Sequence, residues 1–484
     1  MSHNIMDGLS RRAFLGVCGG LAAQRAFGMP DTTGPGFRAG AAIQDITPEI
    51  GVSLAGHFRD REAGHVHDPL YVRSLVLDDG VTTLALTMVD SCMAPQSVFD
   101  AAKERIHAAT GIPSANMMMA ATHTHTAPTA VPIFQSEPVP GYDAVLTEAI
   151  SKAVCEAHAQ RVPAQIAWGA GAVPEEVFNR RWFMKPGTIS ANPFGETTDQ
   201  VRMNPPRASE DLIEPAGPTD PEIPFIAVRH ADGTPLAVLA NYALHYVGGT
   251  EGAAISADYF GCFARALTKR LTQDPDNTAF VAMMSNGASA DINNINFREP
   301  APSFAPYEKM NLVAENAARE VARVYDQLTF HDTASLAACT DAITAGVRHP
   351  SVADIDRAQA IVDAAAQDVM QTAEEVYARE TLLLQEYPEE IAVPLQALRI
   401  GDVAIAAIPC EVFVEIGLHI KATSPFPRAF PIALANGYNG YLPTAEQHAL
   451  GGYETWRARS SYLEVDAAQK IKAKFAALFQ QVHG

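Results

Sequence analysis

Met117-Met118-Met119-Ala120-Ala121-Thr122-His123-Thr124-His125-Thr126-Ala127-Pro128 joins a short apolar run to two histidines. Five uncharged, apolar residues from Met117 to Ala121 have the length and composition of a strand buried on both faces. His123 and His125 follow at i and i+2. Side chains alternate across an extended chain, so the two imidazoles project to the same side. A pair so placed can bind a metal ion, or can sit in a core satisfied by hydrogen bonds. The rest of the chain has to discriminate between these.

Immediately upstream, Thr82–Asp90 reads as a strand and Ser97–Ala109 shows helical spacing that stops at Gly111-Ile112-Pro113. Strand, helix and the Met117–Ala121 strand make a βαβ unit, and ligands collect at the carboxyl ends of such strands, where Asp90 and His123 lie. Further out, Gly36–Thr47 reads as an opening strand, and Val72–Leu77 pairs with Thr82–Asp90 through Asp78-Asp79-Gly80. The segment Ala55–Asp68 is too rich in Gly, His, Asp and Arg for a core and reads as an active-site loop. Its histidines His57, His65 and His67 are pocket-lining candidates, or ligands of a second metal.

Downstream, Tyr142–Arg161 is a helix and Ala164–Gly169 a strand, while residues 174–222, rich in Pro, Asn and Arg, read as one long functional loop. Phe225–Arg229 and Leu236–Leu244 form a hairpin ending at His245, and Asp258–Leu271 is helical. Phe280–Met284 is a strand that runs into the small-residue loop 285–294. Tyr307–Leu328 and Ala353–Tyr387 read as helices, the second a single long one with one apolar face. Pro394–Ile400 and Val403–Ile408 are strands ending at Pro409-Cys410-Glu411. Val465–Phe479 closes the chain as a helix.

Composition excludes several classes. Lys and Arg number 35 against 55 Asp and Glu, a net charge of −20, which disfavours nucleic acid and anionic membranes as partners. No run of eighteen apolar residues exists, so no transmembrane segment is expected. Cysteines are scattered without a Cys-x-x-Cys pair, which indicates neither a zinc knuckle nor a disulfide framework. At the N-terminus, Ser10-Arg11-Arg12-Ala13-Phe14-Leu15 opens a modestly apolar stretch that ends in small residues. It reads as a twin-arginine signal peptide over 1–28, implying a periplasmic or secreted protein. The remainder, 36–484, reads as one catalytic domain with no evident linker.

Taken with these strand ends, the chain resembles the neutral/alkaline non-lysosomal ceramidase family. The matching pieces are Ala120-Ala121-Thr122-His123-Thr124-His125, Ala243-Leu244-His245, Pro409-Cys410-Glu411 and Tyr438-Asn439-Gly440-Tyr441-Leu442-Pro443-Thr444. Asn179-Arg180 and the 286–294 loop match more loosely. The resemblance implies an α/β fold, a mixed β-sheet core covered by helices, here without the family's C-terminal immunoglobulin-like domain. It implies one Zn²⁺ held by His123, His245, Glu411 and Tyr441, with His125 and Arg180 in catalytic roles. It also implies a lipid or small-molecule acyl amide as substrate. Where the family's Gly-Asp-Val-Ser-Pro-Asn loop carries a serine, this chain has Asn293 within Ala290-Asp291-Ile292-Asn293-Asn294.

The residue types suit that chemistry. Two imidazoles, a carboxylate and a phenol form a nitrogen/oxygen set appropriate to catalytic zinc, and the lack of thiolates argues against a purely structural site. Zinc lowers the pKa of water from about 15.7 to about 7, which gives a nucleophile for an amide carbonyl. His125 is placed to exchange protons with water or the leaving amine, and Arg180 to stabilise an oxyanion. Asp90, Asp258 and Asp291 are candidates to orient the ligand histidines. Two other functions compete: a metal-independent serine esterase or amidase using Ser289 in Gly287-Ala288-Ser289-Ala290-Asp291, and a non-catalytic binding protein on the same fold.

Overall fold

Eight strands make the larger sheet: β1 (Arg38–Asp45), β2 (Tyr71–Asp78), β3 (Thr83–Val89), β4 (Met117–Ala121), β5 (Val162–Ala172), β6 (Glu222–His230), β7 (Pro235–Tyr242) and β8 (Val281–Asn286). In this computed structural model, which describes residues 36–484 apart from Pro275, their order is β8-β7-β6-β5-β1-β2-β3-β4. The two outermost pairs, β3 with β4 and β7 with β8, are parallel. The pairs between them are antiparallel. The sheet is therefore mixed, as expected. The βαβ unit is present, with α1 (Gln96–Thr110) crossing from β3 to β4. The helix stops at Gly111, whose positive φ of 77° suits glycine.

A second sheet faces the first. It contains β9 (Leu336–Gly346), β10 (Glu390–Ile400), β11 (Val403–Ala407) and β12 (Arg428–Ile432), in that order, with β11 and β12 parallel. Alternation along β3 shows why its sequence is continuously apolar. Leu84, Leu86 and Met88 pack against Leu398, Val403, Ile405 and Phe430 of the second sheet, whereas Ala85 and Val89 face α1 and α2 (Tyr142–Ala159). At roughly 1.5–3 kcal/mol per fully buried large aliphatic side chain, this two-sided burial is a major source of stability. The β6–β8 half is covered by α3 (Asp258–Thr272) and α4 (Glu308–Tyr325). The C-terminal helix Ala467–His483 packs on the outer face of the second sheet, with Ile471, Phe475 and Leu478 in one core with Leu395, Ala397 and Ala404, so the layers run helix–sheet–sheet–helix.

Two expectations fail. Residues 174–222 are not one loop: Phe178–Asn179, Arg181–Met184, Val201–Met203 and Leu212–Pro215 are short strands, three of them forming a small sheet. Nor is 353–387 one helix. It divides into α5 (Val352–Ala364) and α6 (Ala373–Leu384), each opened by a capping box, Ser351 with Asp354 and Thr372 with Glu375. The second box restarts a helix in the middle of the periodic stretch. The twin-arginine pattern at Arg11-Arg12 lies outside the described residues. Among the described residues no helix is long and apolar enough to cross a membrane.

Candidate metal centre

The carboxyl ends of the two parallel edge pairs and of β11 converge, and the histidines sit where they meet. β4 ends at Ala121, two residues before His123, so strand alternation does not orient the pair. Instead His123 takes a positive φ of 78°, a conformation costly for a non-glycine residue. Its N–H donates to Ser91 O at 2.9 Å, which holds the turn. The outcome is still convergence: His125 Nε2 lies 3.2 Å from His123 Nε2. His245, after β7, brings its Nε2 to 3.1 Å from the same atom.

Each ring is oriented by a backbone carbonyl on its other nitrogen. Nδ1 of His123 donates to Cys92 O at 2.8 Å, that of His125 to Gly56 O at 3.0 Å and that of His245 to Ser289 O at 3.1 Å. With Nδ1 carrying the proton, all three Nε2 lone pairs face inward. The aspartates expected to orient these rings do other work. Asp90 pairs with Arg73 at 2.7 Å; Asp258 accepts from the Val247 and Gly248 amides; Asp291 accepts from Val414 N and Asn179 Nδ2. Aspartate was the wrong expectation because tight turns already bring carbonyls to these nitrogens.

Glu411 completes the cluster. It begins a two-residue parallel pairing with Tyr441–Leu442 that follows β11. Its Oε1 accepts from the Tyr438 hydroxyl at 3.0 Å. Its Oε2 is buried without a hydrogen-bond partner, 3.3 Å from His123 Nε2 and 3.9 Å from His245 Nε2. His123, His245 and Glu411 each offer a ligand atom within 4.8 Å of the others. Inward lone pairs and an orphaned carboxylate oxygen repel one another unless a cation lies between them. Burial opposes charge on His123, yet the Glu411 carboxylate outweighs it and raises this ring to about 10, so that without a metal ion a proton on His123 Nε2 is the cation that faces Glu411 Oε2. Burial, Arg180 and charged His123 hold His245 well below its ordinary value. The donor set therefore fits one cation.

Tyr441 is buried, and its hydroxyl accepts from Arg180 Nη2 at 3.2 Å. Arg180 Nε also donates to Glu454 at 2.8 Å, and the same carboxylate receives Arg181 at 2.6 Å. All six sequence candidates are thus brought to one region. His57 sits edge-on to His125 at 6.2 Å, whereas His65 and His67 both meet Tyr307. Ser289 Oγ donates to Asn286 Oδ1 at 2.7 Å, so its proton goes to an amide and not to a base. Asn293 bonds Asn204 at 2.7 Å.

Sequence reasoning missed the Tyr438 hydroxyl, although Tyr438 lies in the quoted motif three residues before Tyr441. It also missed Glu454, and Tyr246, whose ring stacks on His125 at 3.8 Å. Adjacency of Tyr246 to His245 was the available signal.

The sequence profile of the family described as neutral/alkaline non-lysosomal ceramidase, N-terminal, matches residues 37–299. Among solved structures, the fold is similar to that of neutral ceramidase from Pseudomonas aeruginosa, with a TM-score of 0.68 at 17% identity, over 92% of this chain and 74% of that one. It is similarly close to a ceramidase complexed with C2, with a TM-score of 0.68 at 16% identity, over 93% and 76% of the two chains. Comparison with curated protein sequences gives no match.

Proposed function

The chain belongs to the neutral/alkaline non-lysosomal ceramidase family, and on that premise we propose that it is a zinc-dependent amidohydrolase cleaving a linear N-acyl amide. The observation that carries the reading is the meeting of inward-facing imidazole nitrogens with the unpartnered Glu411 Oε2. His123, His245, Glu411 and Tyr441 are the proposed ligands. Zinc bound there supplies a Lewis acid and lowers the pKa of water from about 15.7 to about 7.

The protein's own groups supply the rest. His125 keeps Nδ1 on the Gly56 carbonyl, so its Nε2 is the atom that takes a proton from water and returns it to the departing nitrogen. Tyr246 packed against the ring holds it in that orientation. Arg180, fixed by Glu454, presents a permanent positive charge to a developing oxyanion. Residues 1–28 are the proposed export signal, and 36–484 the catalytic domain.

The test is hydrolysis of N-acyl amides by purified protein with and without EDTA. Loss of turnover with chelator and its return with Zn²⁺ are expected. Chelator-resistant turnover favours the Ser289 mechanism, and metal binding with no turnover favours a binding protein.

A further inference from the structure

Two of the clefts near the candidate centre have different linings. The first, about 310 Å³, is walled by Phe58, Ile189, Val201, Met203, Tyr453 and Trp456. None of the candidate site residues lines it, but two of its walls adjoin residues of the centre. Phe58 directly follows His57, which stands against His125, and Tyr453 packs edge-on to Tyr441 with ring centroids 5.7 Å apart. Phe58, Tyr453 and Trp456 are only partly buried, in a neighbourhood where Glu454 and Tyr441 are buried. Each packs against the core on one side and lines the cavity with the remainder of its surface.

The aromatic wall is held in place. Trp456 Nε1 donates to Asp199 Oδ2 at 2.8 Å, which fixes the indole and occupies that carboxylate. Phe58 stacks edge-on to Phe134 at 4.7 Å and approaches Tyr377 of α6 at 6.1 Å. Ala373, at the exposed start of α6, completes the rim. The second cleft, about 510 Å³, passes Val247, next to Tyr246. It carries Glu175, Arg207 and Lys309, so it suits a polar group.

Resting on the hydrolase reading above, we propose that the Phe58–Tyr453–Trp456 cavity binds the acyl half of the substrate and restricts it to short and medium chains. The cleft is half open, and its volume lies at the bottom of the usual range for small-molecule sites, roughly 300–1,000 Å³. Each methylene that enters it gains burial, whereas one that cannot fit remains in water. Affinity therefore rises with chain length and then stops rising.

Calorimetric titration of the full chain with N-acetyl-, N-hexanoyl- and N-palmitoyl-ethanolamine reads this directly, alongside turnover of the same compounds by the zinc-loaded protein. The hexanoyl amide should bind at least about tenfold tighter than the acetyl amide, with no further gain for palmitoyl. Ala373→Trp, on an exposed helix start, should cut the hexanoyl advantage, and Trp456→Ala should move the optimum to longer chains. Palmitoyl binding tenfold or more tighter than hexanoyl, or an unchanged chain-length profile in folded Ala373→Trp, would overturn the assignment. If no amide is turned over, the hydrolase reading fails while the titrations still decide what the cavity takes.

Discussion

His123 shows how a single residue carries the argument. Its positive φ is stored strain, tolerated because the Ser91 and Cys92 carbonyls bind its N–H and Nδ1. His125 differs: its ring is equally well oriented but is read as moving protons and not as holding the metal. His125→Ala should therefore retain zinc and lose about 10²–10⁴-fold in turnover, and steady-state kinetics beside metal analysis separates the two. Unchanged rates remove His125 from the mechanism. The histidines, Glu411 and Tyr441 were legible because their residue types and local motifs are distinctive. The carbonyls of Gly56, Cys92 and Ser289 were not, since any residue type supplies a carbonyl and only the fold brings it to a ring nitrogen.

At the scale of elements, the short parallel pairing of Glu411–Val412 with Tyr441–Leu442 puts a carboxylate beside a phenol. It depends on Gly440, whose carbonyl accepts from Glu411 N at 2.9 Å. Gly440 has a φ of 74°, and an added Cβ meets Ser460 O at 2.5 Å. Gly440→Ala should cost more than ~1 kcal/mol in thermal or urea unfolding and weaken zinc binding at the same time. A variant as stable and as metal-rich as the parent contradicts this. The β3–α1–β4 unit was readable because its apolar runs and Gly111 stop are local signals. The division of 353–387 into α5 and α6 escaped because the apolar period continues across it, while the capping box at Thr372 resets the helix. The strands within 178–215 escaped because they are two to four residues long, below what alternation can reveal.

The whole molecule buries polar groups between its layers, and Lys103 of α1 is the clearest case. Its Nζ donates to Asn436 Oδ1 at 2.8 Å, and burial lowers its pKa from 10.5 to about 8. The native protein gives up this proton at lower pH than the unfolded chain does. The resulting destabilisation is full below about pH 8 and is relieved as pH rises toward 10.5. Lys103→Met should melt above the parent near pH ~7, with the gap closing by pH ~10. A gap that holds constant or widens with pH contradicts the assignment of that cost to the buried ammonium.

The layered architecture brings His123, His245, Glu411 and Tyr441 together from separate parts of the chain, and all else in the functional account follows from the proposal that they share one ion. Elemental analysis of purified protein, paired with circular dichroism to establish folding, tests this most directly. The parent should carry close to one zinc per chain, and folded His123→Ala, His245→Ala and Glu411→Gln should carry little or none. Full zinc occupancy in any of those folded variants would contradict it.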